Sequence, residues 1–342
     1  MARPQHPDTL AAFGRLIVDM PMIDAEAIEK TRAREAVLTK PAGALGRLEQ
    51  LTEWLAGWQG RHPGEVERVL VAVFAGNHGV AAQGVSAYPA DVTAQMVINF
   101  ETGGAAINQL AGELDAELRI TPMSLDVPVH DISHAAAMSE ADCVEAICTG
   151  MTAVQDSPDL LCLGEMGIAN TTAASAIAAM LMGGDGMKWA GPGTGVAGDA
   201  LTRKRKVIDA ALDRHAQARG APLEVLRSLG GREFAAIAGA VVAARYLRVP
   251  VLLDGFACTV AAAVVQAMRP DGLDHCQIAH CSAEPGHALF LKALDRTPLL
   301  DLGMRLGEGS GAALAALLVR AAARTHAGMA SFGEAGVSGP AD

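Results

Sequence analysis

From about residue 66 onward, short apolar runs alternate with Ala-rich stretches of helical composition, and this rhythm constrains the fold more than any other feature. The runs are "ERVLVAVFAG" (67–76), "LRITPMSLDV" (118–127), "DLLCLGEMG" (159–167), "VPVLLDGFA" (249–257) and "CQIAHCS" (276–282). Near-continuous apolar strands joined by helix-length connections predict a mostly parallel sheet with helices on its faces, an α/β fold built from βαβ units. Before this rhythm, residues 1 to about 60 read as charged and helical, with "DAEAIEKTRAREAVL" and "LGRLEQLTEWLAGW" separated by Lys40–Gly43. No internal repeat or low-complexity segment interrupts the chain.

Each strand candidate has a polar residue at or just past its end: Asn77 and His78, Asp126, Glu165, Asp254 and Ser282. Strands leave the core at their ends, so one such residue says little. Five together point to a shared cleft, because parallel sheets bind ligands outside the carboxyl ends of their strands.

Composition narrows what that cleft holds. The net charge of −11 disfavours nucleic acid, although a few local N–H groups and one lysine still suffice for a small anion. Apolar runs such as Gly255–Met268 fall short of the roughly 20 residues a bilayer requires, and "MARPQHPDTL" lacks the apolar core of a signal peptide. Six cysteines without a short-spaced framework read as reduced thiols, so a cytoplasmic protein is expected. With aromatics at 4%, the core must be closely packed Ala, Val, Leu, Ile and Met, and 37 glycines permit close backbone approach.

Four segments carry candidate chemistry. In "LLCLGEMGIANTTAASAI", Glu165 stands at a strand mouth, with Asn170 as the expected N-cap of a helix whose first turn holds Thr171 and Thr172. Such a helix start suits a phosphate, and it is also what any capped helix looks like. In "GPGTGVAGDALTRKRK", Gly193–Gly198 matches the dinucleotide pattern G-x-G-x-x-G, which would make the chain an NAD-dependent oxidoreductase. That pattern requires a preceding strand, whereas "GGDGMKWA" reads as loop, and the acid expected on a strand would be Asp213, in a helical stretch. A glycine loop approaching a phosphate, with Arg203 and Lys204 near, fits the same letters.

The third segment, "DHCQIAHCSAEPGH", invites a zinc reading through Cys276 and His280, which would make the chain a metal-dependent hydrolase. On a strand those two residues stand roughly 13 Å apart, too far to share one ion. No metal is therefore expected, and the cysteines read as small buried residues. In "DLGMRLGEGSGAALAALLVRAAAR", Glu308 lies between Gly307 and Gly309 before a long helix, whose N-terminus would favour the ionised form of a base. A helix-capping glutamate explains the acid but not the flanking glycines.

Together "FAGNHGVAAQGVSAYP", "GEMGIANTT", "GPGTGV", "VLLDGFACTVAA", "AHCSAEPGH" and "LLDLGMRLGEGSGAALA" resemble one family, the nicotinate-nucleotide:dimethylbenzimidazole phosphoribosyltransferases. The resemblance runs from about Lys40, in "KPAGALGRLE", to about residue 325. It implies a Rossmann-like large domain (63–305) and a small helical domain from both chain ends (1–62 and 306–342), paired as a homodimer without a cofactor. It further implies transfer of phosphoribose from nicotinate mononucleotide to a benzimidazole, with inversion at C1′.

By the same resemblance Glu308 is the catalytic glutamate and Glu165 the second carboxylate of the site. Asn170, Thr171, Gly193, Thr194, Gly195 and Lys204 hold the mononucleotide, and Ser86, Tyr88, Met166 and Leu306 border the base pocket. The strand-end residues Asp254 and Ser282 are expected among the substrate-binding groups. Asn77 stands where relatives carry an acid. A non-catalytic nucleotide-binding module is the remaining alternative, and the presence of both glutamates speaks against it. The closing segment "HAGMASFGEAGVSGPAD" (326–342) reads as a loose tail.

Overall fold

A computed structural model describes residues 4–339; the first three residues of "MARPQHPDTL" and the last three of the expected tail lie outside it. The chain begins with α1 (Leu10–Val18), α2 (Ala25–Glu35), α3 (Arg47–Gln59), β1 (Val69–Ala75), α4 (Val92–Glu101), α5 (Ala106–Glu113) and β2 (Glu117–Pro122). It continues with α6 (Glu140–Ala153), β3 (Leu160–Met166), α7 (Asn170–Met182), α8 (Gly186–Trp189), α9 (Gly198–Arg214), α10 (Pro222–Leu229) and α11 (Arg232–Tyr246). It ends with β4 (Val251–Leu253), α12 (Phe256–Met268), β5 (Cys276–Ile278), α13 (Pro285–Leu294), α14 (Ser310–Gly328) and α15 (Phe332–Ala335).

Four strands lie inside their apolar runs and β2 begins one residue before its run; the five form one sheet, all parallel, in the order β2-β1-β3-β4-β5. Side chains of β1 alternate between two cores, as strand geometry demands. Leu70, Ala72 and Phe74 pack with α1, α6, α7, α11 and α12, while Val69, Val71 and Val73 pack with α3, α5 and α14. The sheet is thus covered on both faces. Among the described residues, no helix is long and apolar enough to cross a membrane.

Small residues set how closely the layers approach. A methyl group at Gly150 of α6 would lie 1.8 Å from the Ala236 carbonyl of α11, and one at Gly239 would lie 2.1 Å from the Ile147 carbonyl. The two helices therefore touch backbone to backbone. Close packing replaces the bulk that the few aromatics do not supply.

The chain ends are tied together. Arg34 of α2 donates to the carbonyls of His326, Ala327 and Met329, taking up the orphan acceptors at the end of α14. Glu35 lies 2.6 Å from His326 Nδ1 and 2.9 Å from Lys40 Nζ. Leu38 bridges to Ser331, and Ser331 caps α15. The expected loose tail is therefore corrected for residues 326–332, because hydrogen bonds to α2 and the segment after it hold backbone that composition alone made look free.

The strand order reverses direction at β1, whose neighbours β2 and β3 lead the chain to opposite sides of the sheet. The crevice at such a switch point, outside the carboxyl ends of β1 and β3, is where an open α/β sheet takes its ligand.

Candidate active site

A cavity of about 670 Å³ opens beside this switch point, outside the carboxyl ends of β3, β4 and β5. Glu165, Met166, Gly167, Ile168, Asn170 and Thr171 line it from β3 and α7, and Gly193 and Thr194 from the glycine loop. Gly255, His280, Ser282 and Glu284 come from the segments after β4 and β5. Arg305, Leu306, Gly307 and Glu308 close it from the approach to α14, with Tyr88, Val92 and Met96 at the remaining side. A surface groove of about 810 Å³ between α1 and α10 is larger. Its charged groups do not converge: Arg227, for instance, is spent on a neighbouring Glu224 of the same helix.

Two carboxylates anchor one end of the cavity. Glu165 is the penultimate residue of β3, and its backbone carbonyl accepts from the Glu308 N–H at 3.1 Å. The two acids thus sit on directly bonded backbones. Glu308 has φ +65 between two left-handed glycines, Gly307 and Gly309, a conformation that only an over-determined surrounding holds. Gly164 is required beneath this turn, since a methyl group there would lie 2.3 Å from the Gly309 nitrogen.

Burial pushes the Glu165 carboxyl up to about 8, reinforced by Asp254, while Asn170 Nδ2 donates to it and opposes the rise. Burial and then Asp254 push Glu308 up to about 7. This corrects the expectation that the helix N-terminus would favour its ionised form. The N–H groups of Gly309 and Ala312, which would supply that field, donate instead to Asp254 at 3.1 and 3.0 Å. Glu308 is left as a carboxyl with a proton affinity near neutrality, the range in which general acid–base groups work best.

The glycine loop and the start of α7 form another wall of the cavity. Lys204, on α9 and buried, donates to Thr171 Oγ1 at 2.8 Å and to the Gly191 carbonyl at 3.1 Å. A methyl group at Gly193 (φ +53) would lie 2.7 Å from Thr171 Oγ1 and 3.0 Å from Lys204 Nζ, so glycine alone fits there. Burial pulls the lysine ammonium down to about 8, and Glu284 opposes the fall. Thr194 Oγ1 meets Ser86 Oγ at 2.9 Å and accepts from the Ala87 N–H, tying the glycine loop to the segment that carries Tyr88.

Comparison with known proteins bears on what this cavity is. A family model described as phosphoribosyltransferase matches residues 20–337. The nicotinate-nucleotide–dimethylbenzimidazole phosphoribosyltransferase of Rhizobium etli (strain CIAT 652) is 54% identical over 327 residues, covering 96% of each chain. The protein of that name from Methylorubrum extorquens is 56% identical over 319 residues, covering 93% of each. The chain belongs to this phosphoribosyltransferase family. The crystal structure of the Thermus thermophilus protein of the same name superposes with a TM-score of 0.86 at 40% identity, covering 93% of this chain and all of the other.

Within this family member, several residues take positions the sequence did not disclose. Asp254, expected to bind substrate, is corrected: it is fully buried, and its two oxygens cap α14 from below the cavity. Asn170 is not the N-cap of α7. Ala169 holds that place at φ +72, and Asn170 begins the helix with its amide turned back to Glu165. Lys204, Gly195 and Ser86 do not line the cavity: Lys204 and Ser86 bond to the loops that do, and Gly195 is exposed. Asn77 is also set back, buried at the end of β1, where its amide donates to the Leu125 carbonyl at 3.0 Å.

The dinucleotide pattern Gly193–Gly198 follows the short helix α8 instead of a strand. Among the described residues, no group of His, Cys, Asp and Glu is arranged to hold a metal ion. Arg305, Glu284 and His280 line the cavity without having been assigned to it. Glu284 and His280 stood in the plainly visible segment "AHCSAEPGH", so their proximity to Ser282 was the available signal.

Proposed function

We propose that the chain transfers phosphoribose from nicotinate mononucleotide to 5,6-dimethylbenzimidazole, giving α-ribazole 5′-phosphate and nicotinate in the nucleotide-loop branch of cobalamin biosynthesis. One observation carries this reading: a single cavity is lined both by two buried carboxylates and by a glycine and threonine loop backed by a buried lysine. That loop suits the phosphate, and Arg305, which donates to the Gly193 carbonyl at 3.0 Å, adds a second cation beside it.

The chemistry needs no acid for the leaving group, because nicotinate departs from a pyridinium that is already cationic. The attacking benzimidazole nitrogen gains positive charge as its bond to C1′ forms, and the proton on the other nitrogen must go. Glu308 takes that proton as general base. Glu165 faces the positive charge that develops at C1′. Binding of the distant phosphate holds the reacting atoms in line. Val92, Met96, Met166 and Leu306 give the aromatic base an apolar wall.

The same reading includes a homodimer in the cytoplasm. The packing of α2 and α3 against α14 supports a small helical domain drawn from residues 1–62 and 306–342, beside a large domain of residues 63–305.

The test is a mass-spectrometric assay of the purified protein with nicotinate mononucleotide and 5,6-dimethylbenzimidazole. The expected result is release of nicotinate together with α-ribazole 5′-phosphate. Product with adenine or a phenol but none with the benzimidazole would overturn the acceptor, and no turnover with any base would overturn the transferase reading.

A further inference from the structure

Beneath the Glu308 turn lies a buried acid–imidazole pair that the reaction as described leaves unused. Asp254 follows β4 and is fully buried, and its carboxylate accepts from the N–H groups of Gly309 and Ala312. The first of these belongs to the residue immediately after Glu308. His280 follows β5, is 1% exposed, and lines the cavity. Neither of its ring nitrogens makes a hydrogen bond, yet Nε2 stands 3.6 Å from Asp254 Oδ1. The imidazole is held there by packing, since a methyl group on Gly311 of α14 would lie 2.1 Å from its Cδ2.

A buried carboxylate is costly unless hydrogen bonds and an opposite charge accompany it. Asp254 has the hydrogen bonds, and His280 is the nearest group able to bring the charge. We propose that Asp254 and His280 act as one positioning pair for Glu308: Asp254 pins the left-handed turn that presents the base, and His280 balances the buried charge beneath it. The inference rests on Glu308 as the base. It assigns no substrate contact to Asp254. Burial raises the proton affinity of Asp254, and His280 with the α14 N–H groups draws it part of the way back.

The other charged or titratable groups around the turn and the pair are Glu165 from β3, Glu284 before α13, Arg305 on the same loop, and the thiols of Cys162 on β3 and Cys258 on α12, both of which burial pushes up. His287, from α13, meets His280 edge-on, and burial pulls it down to about 3, so it stays neutral. Glu233, which pairs with His78, acts on Glu165 from behind.

The experiment compares Asp254→Asn, His280→Gln and Glu308→Ala by rate against pH, with circular dichroism as the check on folding. Asp254→Asn removes the charge and loosens the turn. Its kcat is expected to fall about tenfold or more while KM for the mononucleotide stays within about threefold. The acid limb of its kcat profile is expected to move to lower pH, because an anion near Glu308 is gone. His280→Gln leaves Asp254 unbalanced, so its acid limb is expected to move to higher pH.

Opposite displacements support the pair, since a purely structural role would lower stability without moving either limb. If Asp254→Asn does not fold, His280→Gln decides alone: an upward displacement supports the pair and an unmoved limb overturns it. Unmoved limbs in both variants, with Glu308→Ala inactive, overturn the pair and leave the base in place. An active Glu308→Ala overturns the base assignment itself, and the pair with it.

Discussion

Glu165 and Glu308 share an environment that raises the proton affinity of both, and this has consequences for rate and for stability. Glu308→Gln keeps the side chain's shape and removes the carboxylate proposed as the base, so turnover is expected to fall by about 10²–10⁴ with the fold retained. A folded variant with near wild-type kcat would sink the assignment. Because the free carboxyl titrates near 7, wild-type kcat/KM is expected to rise with pH through that region. The Glu308→Gln variant should lose that limb.

Glu165 argues in the other direction. Its folded value of about 8 lies above the ordinary 4.5, so the native state binds this proton more tightly than the unfolded chain does. The stabilising contribution is complete below pH 4.5 and is lost as pH rises through about 8. Glu165→Gln removes that loss. Its Tm should therefore exceed the wild type's above pH 8, with the gap closing on acidification, and a gap independent of pH would refute the account. Both acids were legible in the sequence, one at a strand mouth and one between glycines. The depth that makes them poor acids was not, because burial belongs to the assembled cavity.

At the scale of elements, the glycine loop works through α9. Lys204 does not line the cavity; it holds Thr171 and the Gly191 carbonyl in place. Lys204→Ala removes a cation and two charge-assisted hydrogen bonds, each worth about 1.5–3 kcal/mol. KM for the mononucleotide is expected to rise about tenfold or more while KM for the base stays nearly constant. Equal rises in both would mean that the loop had collapsed rather than lost its anion partner.

The strands themselves were readable because β1 and β3 are buried on both faces and so nearly all apolar. The helix starts were less so. Asn170 has the composition of a cap, yet Glu165 competes for its amide and Ala169 takes the left-handed position. Asp254 looked like a ligand contact for a similar reason: a strand-end acid and a cap for a helix 55 residues later are the same letter until the layers pack.

Over the whole molecule, the ends of the chain meet across a small buried charge network. Glu35, Lys40 and His326 have side chains no more than 10% exposed, and His62 packs edge-on against His326. None of these residues lines the cavity. Burial tends to raise the Glu35 carboxyl, but hydrogen bonds from Lys40 and His326 outweigh it and hold the group below its ordinary 4.5. A depressed value contributes stability above the unfolded pKa, and that contribution is lost as the pH falls through the folded one. Glu35→Gln removes one partner of a buried pair and leaves His326 without its acid, although Lys40 keeps Glu49 at 2.7 Å. The expected destabilisation at neutral pH is on the order of 3 kcal/mol, read from urea unfolding. As the pH falls below 4.5 the wild type loses the pH-linked part of that contribution, so the two unfolding curves should draw closer. Turnover of the folded variant should match the wild type, since the network joins the chain ends and touches no substrate. A variant as stable as the wild type at neutral pH would mean that the apolar contacts of α3 and α14 hold the ends together without the charges.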